Sequence, residues 1–187
     1  MKIIFLDIDG VLNGYNKWNL LGWKIVKKIN YKPLILFYKR YYQPFTIHES
    51  KVKRLAKIIN KTNAKVVMSS SWKHGWWNTP YKDQFDDQKR LTDLLNKYNI
   101  KIIDITPNLQ TRGEEINSWL INHPNVTNFV ILDDEISDME MYMTDKRLIQ
   151  TSNVPYNEVV MGNKYEDVGL KNKHVKKAIK ILMEEAK

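Results

Sequence analysis

The chain has 187 residues, 43% hydrophobic and 27% charged, which suits a globular protein large enough for its own core. It contains no cysteine, which excludes disulfides and thiolate metal centres, and its four histidines (His48, His74, His123, His174) lack the paired spacing of a zinc site. The net charge of +9 is unevenly placed: no acidic residue lies between Gly10 and His48, whereas Lys17, Lys24, Lys27, Lys28, Lys32, Lys39 and Arg40 all do, an asymmetry that suits a polyanionic partner.

In chain order, Ile3–Leu6 is an apolar run of strand length that leads into Asp7, Asp9 and Gly10. The two aspartates stand where the apolar region of a signal peptide would continue, and no apolar run approaches the ~20 residues of a membrane span, so a soluble cytoplasmic protein is expected. Residues 14–46 are too long for a simple strand-to-helix connection, and they are aromatic and basic rather than rich in Gly and Ser. They read as a small insertion, a cap or flap above the sheet, within one domain spanning residues 1–187. Helical spacing of Val52, Leu55, Ala56, Ile58 and Ile59 follows, then a strand at Lys65–Met68, a helix in "QKRLTDLLNKYN" and a strand at Lys101–Ile105. "TRGEEINSWLINHP" opens with Thr111 and Glu114 in capping-box spacing and stops before Pro124. Strands at Phe129–Leu132 and Arg147–Gln150 and a last helix carrying Val175, Ala178, Ile179 and Leu182 complete the pattern. Short apolar runs alternating with amphipathic helices predict an α/β fold on a mostly parallel sheet.

Such sheets bind ligands beyond the carboxyl ends of their strands, so the residues delivered there are the candidate site. The first strand delivers Asp7 and Asp9, the second Ser69, Ser70 and Ser71, and the fourth Asp133 and Asp134. Two strands that each end in a pair of aspartates require a cation, and carboxylates without soft ligands select a hard one such as Mg²⁺, joined by Arg112. Asp7 and Asp9 share a direction if the extended geometry persists, while Ile8 faces elsewhere.

"DIDGVLN" after an apolar strand resembles the DxD motif of the haloacid dehalogenase-like phosphohydrolases. "VVMSSSW" resembles the second motif of that superfamily, "RGEEINSWL" could carry its basic third motif, and "VILDDE" matches its acidic fourth. More narrowly, "SSSW", "TRGEEINSWL", "VILDDE" and the late "VGL" are similar to the haloacid dehalogenase domain of the Swiss Army Knife RNA repair proteins. The resemblance implies a Rossmann-like three-layer sandwich with Asp7 as nucleophile, Asp9 as general acid and base, and Ser69 as a phosphoryl ligand, with Ser70 an open alternative. It makes Arg112 the neutralising cation, although lysine is common at that place in the superfamily. Mg²⁺ would be held by Asp7, Asp133, Asp134 and the backbone carbonyl of Asp9, with Asp138 a further candidate near the metal.

Gly10, Ser70, Lys17 and Trp18 are the candidate substrate-binding positions. Within the insertion Trp18, Trp23, Tyr31, Phe37, Tyr38, Tyr41, Tyr42 and Phe45 interleave with the cations, as in proteins that bind single-stranded nucleic acid. A structural cap, or a surface that docks on a membrane or a protein, would use similar residues. The expected activity is Mg²⁺-dependent hydrolysis of a phosphomonoester, with terminal phosphates of RNA or DNA, or nucleotides, as substrates. The alternatives are a phosphatase of small metabolites or phosphoproteins, and a nucleic-acid-binding module without turnover.

Overall fold

Alternation along the first strand sets the layers of the molecule. β1 (Lys2–Leu6) buries Ile4 and Leu6 on one face and Ile3 and Phe5 on the other. A strand buried on both faces needs cover on both, and the connections that supply it are helical crossovers between parallel strands. The computed structural model describes residues 1–14, 22, 25–42 (side chains as far as residue 37), 46–139, 141–142, 146–152 and 168–184.

β1 is central in a sheet completed by β2 (Lys65–Met68), β3 (Ile102–Ile105), β4 (Asn128–Asp133) and β5 (Leu148–Gln150). The order is β3-β2-β1-β4-β5, with every pairing parallel. Helices α1 (Lys32–Tyr42), α2 (Glu49–Thr62), α3 (Lys73–Trp76), α4 (Asp86–Lys97), α5 (Arg112–Ile121) and α6 (Asn172–Met183) connect or follow these strands. Leu55 and Ile58 of α2, Leu91 of α4 and Val175 and Leu182 of α6 pack on the face of Ile4 and Leu6. Ile116 and Trp119 of α5 pack on the opposite face, where Phe5 meets Trp119 and Phe129 edge-on at 5.4 and 5.8 Å between ring centroids. The result is the three-layer, Rossmann-like α/β sandwich expected from the sequence.

The register positions the site. Leu6 lies level with Met68 on one side and Leu132 on the other, so Asp7, Ser69 and Asp133 leave three adjacent strands at the same height. Their parity places them on the α5 face, in line with Phe5, Val67 and Ile131. The ladder continues past the strand ends: Asp7 donates its N–H to the carbonyl of Leu132 (3.0 Å) and Ser69 donates to that of Leu6 (2.8 Å).

Some boundaries differ from expectation by a residue or two. β3 and β5 start at Ile102 and Leu148 rather than Lys101 and Arg147. α4 starts earlier, at Asp86, because Asp86 and Asp87 suit the positive end of the helix dipole. Neither α1 nor α3 was foreseen. α1 lies inside the 14–46 segment, with Pro33 in its first turn, where a missing N–H costs nothing. The apolar side chains described there are largely open to solvent, with Ile25, Tyr31 and Leu36 exposing 59%, 60% and 57% of their surface. Lys17, Trp18, Trp23, Lys24 and Phe45 lie outside the described residues, as do the side chains of Tyr38, Lys39, Arg40, Tyr41 and Tyr42. Where the chain leaves for this segment, buried Lys51 donates to the carbonyls of Asn13 (2.7 Å) and Val168. Among the described residues, no helix is long and apolar enough to cross a membrane.

Phe5 is the largest fully buried side chain of the central strand, so Phe5→Ala is expected to lower unfolding stability by about 3–5 kcal/mol, read from the urea denaturation midpoint.

Candidate active site

Arg112 opens α5, and its side chain returns to the carboxyl edge of the sheet. One guanidinium nitrogen, Nη1, lies 2.9 Å from Asp7 Oδ1 and 2.8 Å from Asp133 Oδ2, and it donates to the carbonyl of Ser69 at 2.7 Å. Three strand ends thus meet one cation. The helix start that carries it is fastened twice. Thr111 Oγ1 accepts from the Glu114 N–H while Glu114 accepts from the Thr111 N–H, which completes the expected capping box. Asp138 then accepts the backbone N–H of Arg112 at 2.8 Å. Asp138 is therefore tied to the helix end rather than to the other aspartates, and it falls outside the group of carboxylates close enough to share an ion. Gly113 permits this docking, because a Cβ there would come within 2.6 Å of the Asp138 carbonyl. The other nearby cation, buried Lys73, is taken by Glu115 at 2.8 Å and by the Pro107 carbonyl at 2.9 Å.

Asp7, Asp133 and Asp134 each place a carboxylate oxygen within 4.8 Å of the others, and all three are buried. Asp134 rests against Gly10. That glycine has φ +64°, and a Cβ on it would fall 2.1 Å from the carboxyl carbon of Asp134. Gly10, a candidate substrate contact, also forms the floor beneath a carboxylate.

The Asp9 side chain stands apart from that group. Asn13 Nδ2 donates to its Oδ1 at 2.6 Å and Trp72 Nε1 donates to its Oδ2 at 3.0 Å. Neither partner was anticipated. Asn13 follows Asp9 by one turn in "DGVLN", a spacing that could have suggested it, whereas Trp72 lies 63 residues away with no local signal. Of the serines, Ser70 lies beside the Asp7 carboxylate and opposes the rise in its pKa, while its Oγ accepts the Trp72 N–H at 3.4 Å. Ser69 Oγ is the buried side-chain oxygen that has no partner among the described residues. Both are therefore at the site, Ser70 engaged and Ser69 unsatisfied. A cleft of about 230 Å³ opens against Ser70 and Arg112, walled by Ser71, His74, Gln110 and Thr111. A larger cavity of about 450 Å³ between β5 and α6 touches none of the aspartates discussed here.

Burial dominates the electrostatics. It raises the pKa of Asp7 against the pull of Arg112, raises that of Asp133 well above the usual carboxylate range, and lifts Asp134 to about 7. Burial opposes the charge on Arg112 as well, but Asp7 and Asp133 more than restore it. One guanidinium cannot balance three clustered carboxylates. With all three ionised, two negative charges would exceed the one guanidinium, and the donors present are all oxygen, so the residues fit a hard divalent cation.

The family model described as the HAD domain in Swiss Army Knife RNA repair proteins, HAD standing for haloacid dehalogenase, matches residues 3–155. No curated protein and no solved structure matches the chain significantly.

A carboxylate whose folded pKa is raised binds protons better folded than unfolded, so its ionisation weakens the fold as pH rises from about 3.8 to about 7, the window set by Asp134. His174, held down to about 4 by burial, acts in the opposite direction below 6.5, so the cation-dependent part is the cleaner readout. The gain in Tm from added Mg²⁺ is expected to be larger at pH 8 than at pH 5, where protons compete for Asp134, and to shrink in Asp134→Asn. Thermal melts with and without EDTA check it.

Proposed function

Because the chain belongs to the family of HAD domains found in Swiss Army Knife RNA repair proteins, we propose that it is a Mg²⁺-dependent phosphatase that removes terminal phosphates from RNA or DNA through an aspartyl-phosphate. The observation that carries this reading is the single Arg112 nitrogen shared by Asp7 and Asp133 beside a third buried carboxylate. Such a site gathers positive charge around one nucleophile, as transfer of a phosphoryl group requires.

In this reading Asp7 attacks phosphorus while the bond to the leaving oxygen breaks and Asp9 gives that oxygen its proton. Asp9, now a carboxylate, takes a proton from a water that attacks the phosphorus of the aspartyl-phosphate, which releases inorganic phosphate and frees Asp7. Arg112 offsets the charge on the transferring group, and the hydroxyl of Ser70 or the unpartnered one of Ser69 donates to a phosphoryl oxygen. Mg²⁺ held by Asp7, Asp133, Asp134 and the carbonyl of Asp9 would supply the positive charge that keeps buried Asp7 ionised.

Two features favour a polymer end over a sequestered metabolite. The cleft of about 230 Å³ that borders Ser70 and Arg112 is lined by none of Asp7, Asp9, Asp133 and Asp134, so it has room for a segment of substrate beside the reacting phosphate rather than for a whole enclosed ligand. The described part of the insertion also exposes Tyr31 and Phe37 among Lys27, Lys28 and Lys32, a surface for stacked bases and phosphates. Lys17 and Trp18, outside the described residues, are proposed as further substrate contacts on their residue types alone.

The test is release of inorganic phosphate from 3′- and 5′-phosphorylated oligonucleotides, mononucleotides and p-nitrophenyl phosphate, with Mg²⁺ and with EDTA. Metal-dependent release that favours one oligonucleotide end is expected, with Asp7→Asn inactive and Arg112→Met slower by roughly 10²–10³-fold. Release from small esters alone would sink the polymer substrate, and oligonucleotide binding without release from any substrate would leave only a binding module.

A further inference from the structure

Both oxygens of Asp9 are occupied, and by neutral donors. Asn13 Nδ2 holds Oδ1, and Trp72 Nε1 holds Oδ2. Asn13 is fully buried, and its own amide oxygen accepts the Gly10 N–H at 2.8 Å, so its NH₂ must face Asp9. The Trp72 indole has only a proton to give. Its ring is half-buried against the core cluster beneath the β1–β2 strand ends, which fixes where that proton points. Neither group can accept a hydrogen bond from Asp9, and neither brings a charge.

We infer that Trp72, with Asn13, is a positioning residue for proton transfer: it fixes the orientation of the Asp9 carboxyl and confines its acidic proton to the lone pairs that face neither donor. The inference rests on the assignment of Asp9 as general acid. A carboxylate offers about four lone-pair sites, so two remain for the proton after both bonds are made. Trp72 also joins the two motifs mechanically, because the turn after Ser70 begins with the Trp72 N–H on Ser70 Oγ at 3.4 Å and ends with the indole on Asp9. The acid and the phosphoryl-binding serine loop are thereby set in one piece.

A residue that positions a general acid matters most when the leaving group needs its proton. p-Nitrophenolate departs without one, whereas the sugar alkoxide of a phosphorylated oligonucleotide does not. The experiment therefore compares kcat/KM on p-nitrophenyl phosphate with kcat/KM on the better of the 3′- and 5′-phosphorylated oligonucleotides, in wild type, Trp72→Phe and Asp9→Asn. Phe keeps the ring on the core and deletes the N–H. Benzothienylalanine at position 72, an isostere without the N–H, is the second variant should Phe disturb the packing. The ratio of nitrophenyl ester to oligonucleotide efficiency is expected to rise about tenfold or more in both position-72 variants, in the same direction as in Asp9→Asn. An unchanged ratio at position 72, with the ratio raised in Asp9→Asn, would overturn the role of Trp72 and leave the acid in place. An unchanged ratio in Asp9→Asn would overturn the acid assignment itself, and the inference with it.

Discussion

One guanidinium holds the centre of this molecule. Arg112 sits between carboxylates delivered by two adjacent strands and accepts the burial of its own charge to do so. Without a cation there, Asp7 and Asp133 would stand together in a low-dielectric space, and each would be driven to its neutral form. Everything near it serves that placement: the Thr111–Glu114 cap starts the helix at the right residue, Asp138 fixes its first N–H, and Gly113 lets the two segments approach. Arginine suits the position better than lysine, because its charge is not lost on burial and its planar head can meet several acceptors at once.

The strands were legible because a central parallel strand must be apolar at successive positions, which makes "KIIFL" and "FVIL" stand out against the amphipathic helices. Asp7, Asp133 and Asp134 were legible because charges directly after such runs have no packing role, whereas Arg112, at a helix start, stood out only through the family resemblance. The contacts of Asp9 and Asp138 were not. The bond from Trp72 to Asp9 and that from Arg112 to Asp138 join residues brought together only by the sheet register, and no periodicity encodes such a pair. Ser69 and Ser70 stayed alternatives in the sequence, because serines in a row differ only in which way each points. The aromatic composition of residues 14–46 signalled a segment with structure of its own, but not the helix from Lys32 to Tyr42, since cations and exposed apolar groups alternate there without a clean buried face.

Charge is arranged on two scales. At the strand ends negative groups outnumber positive ones, while the segment from Gly10 to His48 carries cations alone. On the proposed reading, the cationic segment would attract a phosphate, and the acidic centre would tolerate it only when its own excess charge is matched. Long-range attraction and short-range selectivity would then fall to different parts of the sequence.

The strand order has a consequence for how the molecule is made. β1 emerges before both of its neighbours, yet it pairs with Lys65–Met68 on one side and Asn128–Asp133 on the other. Its apolar side chains have no complete shelter before β4 has been synthesised, so the nascent chain carries a hydrophobic strand paired on one edge at most until then. The residues that close the sheet are also those that complete the acidic cluster, and closing it brings Asp133 beside Asp7. Pairing of the first strand on both edges and gathering of the acidic cluster are therefore a single event, and a chain arrested before β4 would have neither.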